Sequence, residues 1–337
     1  MTRIVCLVLG TVVLGLLLWR LGPAEILRTF AQLGWHSLPI LVCYIAYQSM
    51  RALALRLSIL RWRLVSFGDA FRIRLSGDAM QSLTFTGPFL GEPTKAWLLK
   101  GRGLTLTEGF AATLAEYLVN LLLSSAMSIA ALLYLLKVTA LPASAAGAAK
   151  GLVYVSGAFL ITALVAIGLR VYLIGTVIER LGRIGVLRGR LTPDVPAINR
   201  MEDLLLGVLR DRPSRAAAII LVELAGQAAL VAEIAWILYA LDLAVPALYP
   251  LVIEAAAKFV TVAFFFVPLQ VGASEGTFAV IFGALGLPAA AGFSLAFFRR
   301  LRSLLVASAG LAAMNALTRR ASAPGTDRPG GRAGQGR

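Results

Sequence analysis

Apolar stretches of about 20 residues recur along this chain, and none of them alternates polar with apolar positions. Every backbone N–H and C=O inside a bilayer must be satisfied within the protein, so only helices and closed barrels cross it. Long runs without alternation select helices. Composition agrees: of 337 residues, 59% are hydrophobic and 15% charged, with mean hydropathy +0.82. The expected fold class is an all-α polytopic membrane protein with about 6–8 transmembrane helices. Spans are expected at Ile4–Leu21, Leu38–Leu60, Gly109–Leu136, Leu152–Ile174, Ala216–Leu241, Leu248–Val267 and Gly292–Leu317. The first reads as an uncleaved helix, because Trp19-Arg20-Leu21 stand where a small-residue cleavage site belongs. Ser66–Leu75 mixes Phe67, Phe71 and Ile73 with Asp69, Arg72 and Arg74, and reads as an interfacial amphipathic helix capped by Ser66 or Asp69.

Two further apolar segments are interrupted. Gly87, Pro88 and Gly91 break the stretch 76–102, and Pro268 and Gly272 break the stretch that runs to about Ala291. Each limb looks too short to span, which predicts two re-entrant elements. A shift of 183 positions lays Glu92 on Glu275, Thr94 on Thr277, Gly103 on Gly286, Gly109 on Gly292 and Phe110 on Phe293. Paired broken segments in the two halves of a membrane protein point to a substrate site near the bilayer midplane, within an inverted repeat. The expected organisation is a membrane domain over 1–318, repeat-like halves at about 69–136 and 248–317, a loop at 175–215, and a disordered basic tail at 319–337.

Charge gives orientation. Arginines crowd the loops 61–74, 175–215 and 319–337, whereas the intervening loops hold only Arg28, Lys137 and Lys150. The positive-inside rule makes the basic loops cytoplasmic, with both termini inside and an inner-membrane location. The net charge of +15 is thereby explained without nucleic acid, with anionic lipid headgroups as the natural partner. A lone histidine, His36, and two cysteines in apolar runs, Cys6 and Cys43, supply no zinc, haem or disulfide pattern, so no metal or cofactor is expected.

An ionisable group at the bilayer centre costs about 2.5–3.5 kcal/mol or more, so each needs a partner or a role. Glu92 and Lys95 are spaced i,i+3, and Glu254 and Lys258 i,i+4; both pairs share a helix face. Glu116 and Arg299 occupy the same position at the 183 shift with opposite charge, which predicts a salt bridge between the two halves; the alternative is that Arg299 and Arg300 reach for the headgroups, as Arg51 and Arg56 are expected to do. Glu92 and Glu275 are expected at the tips of the re-entrant elements, facing one polar cavity. Helix N-termini at the breaks, with Lys95, Lys258 and Arg299, would favour an anionic headgroup.

The run Pro88-Phe89-Leu90-Gly91-Glu92-Pro93-Thr94-Lys95 resembles the P-x-x-G-E-x-x-[KR] element of the lysylphosphatidylglycerol synthase transmembrane region. Pro268–Glu275 resembles that family's later Gly-rich signature, and Glu116-Tyr117-Leu118-Val119-Asn120 its Glu-Arg-x-x-Asp helix pattern. Tyr117, Asn120 and the single Gly272 depart from it. The resemblance covers about residues 1–318 and implies a flippase-like role without the aminoacyl-transferase domain, with Asn120 at a site position. The expected function is non-enzymatic movement of an anionic or glycosylated lipid between leaflets by alternating access. A membrane-embedded lipid-modifying transferase and a non-transporting scaffold of an envelope-lipid synthesis complex are the alternatives. Besides the lipid, envelope-lipid biosynthesis enzymes and a second copy of the chain are candidate partners.

Overall fold

The computed structural model describes residues 34–84, 87–138, 143–169, 195–263 and 273–322, with positions 172, 175–177 and 180. The expected first span, Pro268, Gly272, most of 170–194 and the tail lie outside these residues. The described residues form α1 (Ser37–Ser58), α2 (Phe67–Leu83), α3 (Pro88–Lys100), α4 (Leu106–Val138), α5 (Ala143–Leu169), α6 (Val195–Leu209), α7 (Pro213–Ala240), α8 (Tyr249–Ala263), α9 (Ala273–Ala284) and α10 (Ala289–Ser322), with no strand among them. Five stretches, Gly34–Ser58, Leu106–Val138, Ala149–Leu169, Pro213–Ala240 and Ala289–Arg319, are long and apolar enough to cross a membrane. The chain is an all-α polytopic membrane protein.

Local chemistry sets the helix starts. Ser66 caps α2 by accepting a hydrogen bond from the Asp69 N–H at 3.1 Å. Thr105 and Glu108 form a reciprocal capping box at α4: Thr105 Oγ1 accepts from the Glu108 N–H at 3.2 Å, and Glu108 accepts from the Thr105 N–H at 2.7 Å. Pro88 and Pro213 stand in the first turns of α3 and α7, where a missing N–H costs nothing.

The expected amphipathic helix at 66–75 is corrected. It is the first part of one continuous helix, α2, whose Ile73, Arg74 and Met80 are buried. Capping chemistry identifies its start, but nothing helix-breaking separates Leu75 from Ser76. The chain breaks later, between Thr84 and Gly87, where Gly87 has φ +52°. With 17 and 13 residues, α2 and α3 each fall short of a crossing of about 20 residues. Asp69 at the start of α2 pairs with Arg102 just after α3 at 2.9 Å, so the hairpin returns to the side it left. That is the geometry of a re-entrant element.

Shifted by 183 positions, α2, α3 and α4 begin within two residues of α8, α9 and α10. Gly103 (φ +89°) and Gly286 (φ +72°) follow the short helices at the same shift, in a backbone region that side-chain-bearing residues rarely adopt. Gly109 and Gly292 also correspond; a Cβ on either would press on the carbonyl of the preceding short helix, Ala96 or Phe278. Two of the apolar clusters follow the same rule. Leu55, Ala70, Leu99, Leu104 and Ala112 of one map onto Leu238, Ile253, Phe282, Leu287 and Leu295 of the other. The first gathers the end of α1, the start of α2 and the end of α3. The second gathers the end of α7, the start of α8 and the end of α9.

Helices α1 and α7 pack along their lengths and run antiparallel. Trp236 Nε1 near the end of α7 donates to the His36 carbonyl before α1 at 3.2 Å, and Arg215 near its start donates to the Ile59 carbonyl after α1 at 3.3 Å. Helix α10 crosses α2 closely enough for Ser76 Oγ to donate to the Gly310 carbonyl at 3.2 Å. The charged core lies between the two apolar clusters.

Candidate functional site: a cation-lined cavity in the helix core

Glu116, on α4, is fully buried and is the centre of one ion network. It accepts from Arg51 Nε at 2.6 Å, from Lys95 Nζ at 3.3 Å and from Arg74 Nη1 at 3.4 Å. Arg51 also pairs with Glu223 at 3.0 Å, which Asn120 Nδ2 approaches at 2.9 Å. Arg74 pairs with Asp78 at 2.9 Å, and Lys95 with Glu92 at 2.7 Å. Gly77 on α2 leaves the space through which the Lys95 stem passes; a Cβ there would collide with it. Carboxylates this deep lose their hydration and must be matched by cations and donors, and here each is.

A second network lies on α7–α10. Glu254 accepts from Arg299 at 2.6 Å and from Lys258 at 3.1 Å. Glu275 pairs with Arg300, and Glu233 with Arg302. The Arg302 guanidinium sits over the Tyr44 ring at 3.7 Å, and Lys258 Nζ over the Tyr47 ring at 5.6 Å, which joins this network to α1.

Between the networks lies a cavity of about 530 Å³. Among the described residues its wall carries six cations, Arg51, Arg74, Lys258, Arg299, Arg300 and Arg302, against two carboxylates, Asp78 and Glu254. Glu116, Glu223, Glu233 and Glu275 stand behind the cations that they hold. The cavity therefore presents positive charge from a core in which the opposite charges are supplied from the second layer. Both halves contribute equivalent positions: Tyr47 with Leu230, Tyr117 with Arg300, and Asn120 with Ser303 are related by the 183 shift.

The structure brings most of the expected site residues to this place and corrects several expectations. The Glu92–Lys95 and Glu254–Lys258 pairs form. The Glu116–Arg299 bridge does not: Glu116 is taken by Arg51, Arg74 and Lys95, and Arg299 by Glu254. Each charge finds its partner within its own network, because α2 and α3 supply cations to α4 while α8 supplies a carboxylate to α10. Glu92 and Glu275 sit one turn inside α3 and near the start of α9, and neither lines the cavity. Lys95 is likewise behind the wall. Arg299 and Arg300 point into the protein and not to the headgroups, and so does Arg51, which is 3% exposed. Gly87 lines the cavity; Gly91 lies against Gln81 of α2.

Arg51, Arg74, Asp78 and the tyrosines of α1 went unrecognised as site residues. A signal for them exists. Tyr44, Tyr47, Gln48 and Arg51 recur at i, i+3, i+4 and i+7 in an apolar helix, and Arg299, Arg302 and Ser303 at i, i+3 and i+4 in α10. A polar stripe at helical period on a membrane span marks the face turned to protein or water.

Fold and site together define a polytopic helical membrane protein with an internal, cation-lined cavity. The chain belongs to the lysylphosphatidylglycerol synthase TM region family, whose model matches residues 3–310. That family ties it to lipid metabolism or transport. No curated relative and no solved structure matches the chain.

Proposed function

We propose that the protein moves an anionic lipid headgroup between leaflets, using its two halves as an inverted repeat. The observation that carries this reading is the cavity wall with six cations and two carboxylates. In inverted repeats the substrate site lies at the repeat interface near the midplane. The 183 shift of the helices, the antiparallel α1–α7 contact and the paired cavity positions support that placement. The acyl chains stay in lipid while the headgroup crosses the cavity, and rearrangement of the ion pairs around it alternates access. No chemical change of the lipid is involved.

Reconstitution tests this. In phosphatidylcholine vesicles carrying a trace of headgroup-fluorescent phosphatidylglycerol, a membrane-impermeant quencher removes only outer-leaflet signal. With the protein present, inner-leaflet signal is expected to become quenchable, faster than for the phosphatidylcholine analogue. Quenching that stops at the outer leaflet removes the transport reading, and recovery of a chemically altered lipid replaces it with a transferase.

The orientation follows from charge. Arg61, Arg63, Arg102, Arg212 and Arg215 gather at the end where α1 and α3 finish and α7 begins, and this end is assigned to the cytoplasm of the inner membrane. In a background with Cys6 and Cys43 replaced by serine, Arg61→Cys is expected to resist impermeant maleimide in intact cells, whereas Asp242→Cys reacts. The reverse pattern inverts the topology.

A further inference from the structure

We propose that the cavity is a two-part site for a headgroup in which a phosphate ester carries a sugar or other polyol; this rests on the transport reading of the same cavity. Its two walls differ. On the side of α7–α10, four cations, Lys258, Arg299, Arg300 and Arg302, share three carboxylates, so one positive charge is left over. Arg299, Arg300 and Arg302 all line the cavity from one helix, α10. A phosphate supplies acceptor oxygens that match forked guanidinium groups.

The side formed by α1–α4 offers something else. Its two arginines are already neutralised: Arg51 by Glu116 and Glu223, and Arg74 by Asp78 and Glu116. The remaining surface is neutral and hydrogen-bonding, with Gln81, Ser82, Asn120 and Ser124 beside the rings of Tyr47 and Tyr117. Amides and hydroxyls pair with hydroxyls, and aromatic faces cover the apolar face of a sugar ring. No free carboxylate on this wall waits for an ammonium group. The single carboxylate on this wall, Asp78, is held by Arg74 and Gln48. The other acids of the network do not reach the surface. Phosphate on α10 and polyol on α2 and α4 therefore suit the cavity, whereas a zwitterionic or aminoacylated headgroup does not. At about 530 Å³, the space falls within the usual range for a small-molecule site.

Calorimetric titration of the full chain in phosphatidylcholine nanodiscs tests the division. Glucose 1-phosphate is expected to bind roughly tenfold more tightly than inorganic phosphate, because the second wall adds polar contacts. Phosphocholine is expected to bind more weakly than either, and glucose alone not measurably. Gln81→Leu, which breaks no ion pair, should weaken glucose 1-phosphate about three- to tenfold and leave inorganic phosphate unchanged. Arg300→Gln should weaken both by about tenfold or more. Equal affinity for glucose 1-phosphate and inorganic phosphate overturns the two-part site, as does phosphocholine binding as tightly as glucose 1-phosphate; leaflet transfer seen alongside either result leaves the transport reading standing. Competition from phosphatidylinositol doped into the discs assigns the ligand to the membrane. Intact glucose 1-phosphate selectivity without such competition upholds the two-part site for a soluble ester and removes the transport reading instead.

Discussion

Glu116→Gln is expected to destabilise the purified protein by about 3–5 kcal/mol, the usual consequence of removing one partner from a buried ion pair. Glu116 is fully buried and holds three cations, Arg51, Arg74 and Lys95, that come from three different helices. Glutamine keeps the shape but takes away the charge. Glu223, Asp78 and Glu92 still offset part of the imbalance, each through one of the same cations. Denaturant or thermal unfolding in detergent measures the loss. A double-mutant cycle with Arg51→Gln should show coupling of about 0.5–3 kcal/mol, because the two side chains are in contact. The cycle with Arg299→Gln should be additive within about 0.5 kcal/mol, since Arg299 belongs to the other network and shares no partner with Glu116. Strong coupling to Arg299 would restore a direct bridge between the halves.

Reversing the charge at the cavity wall should lower transport, and stability as well, because the buried Glu254 then keeps only Lys258 as a partner. Arg299→Glu places a second carboxylate beside Glu254 and changes the wall from six cations and two acids to five and three. Truncating a buried charge that meets an oppositely charged ligand typically costs about 2–5 kcal/mol, so leaflet transfer of the phosphatidylglycerol analogue should fall on the order of a hundredfold or more. Arg299→Lys keeps the charge but loses the fork, and should retain part of the rate. Size-exclusion behaviour and helicity identify any variant that fails to fold. A folded Arg299→Glu protein that transfers lipid at the normal rate would show that the wall's charge does not select the substrate.

What was legible in the sequence was local or periodic. Long apolar runs without alternation dictate membrane helices, because only helices and closed barrels satisfy the backbone in lipid and barrel strands alternate. Gly87 and Pro88 mark the first break, since φ +52° and a missing N–H are both incompatible with a continuing helix. The Glu92–Lys95 and Glu254–Lys258 pairs follow from helix geometry, which puts residues three or four apart on one face whatever the surroundings. The 183 shift likewise anticipated where the equivalent helices start, and it extended to apolar positions such as Leu55 and Leu238.

The partners of Glu116 were not legible, nor was the division of the charged residues into a cationic wall with carboxylates behind it. Arg51 lies 65 residues from Glu116 and Glu223 lies 172 from Arg51, and no helical period relates residues on separate spans. The shared repeat position of Glu116 and Arg299 suggested a contact, but equivalence under a pseudo-symmetry brings two residues together only near the axis. Residue chemistry and order were enough for the fold class, the first break at Gly87 and Pro88, and the charges that had to be matched inside the membrane. Tertiary packing settled which helix faces meet: it turned α1 and α2 so that Arg51 and Arg74 neutralise Glu116, left α10 to present Arg299, Arg300 and Arg302, and so placed six cations against the open space with most of the acids behind them.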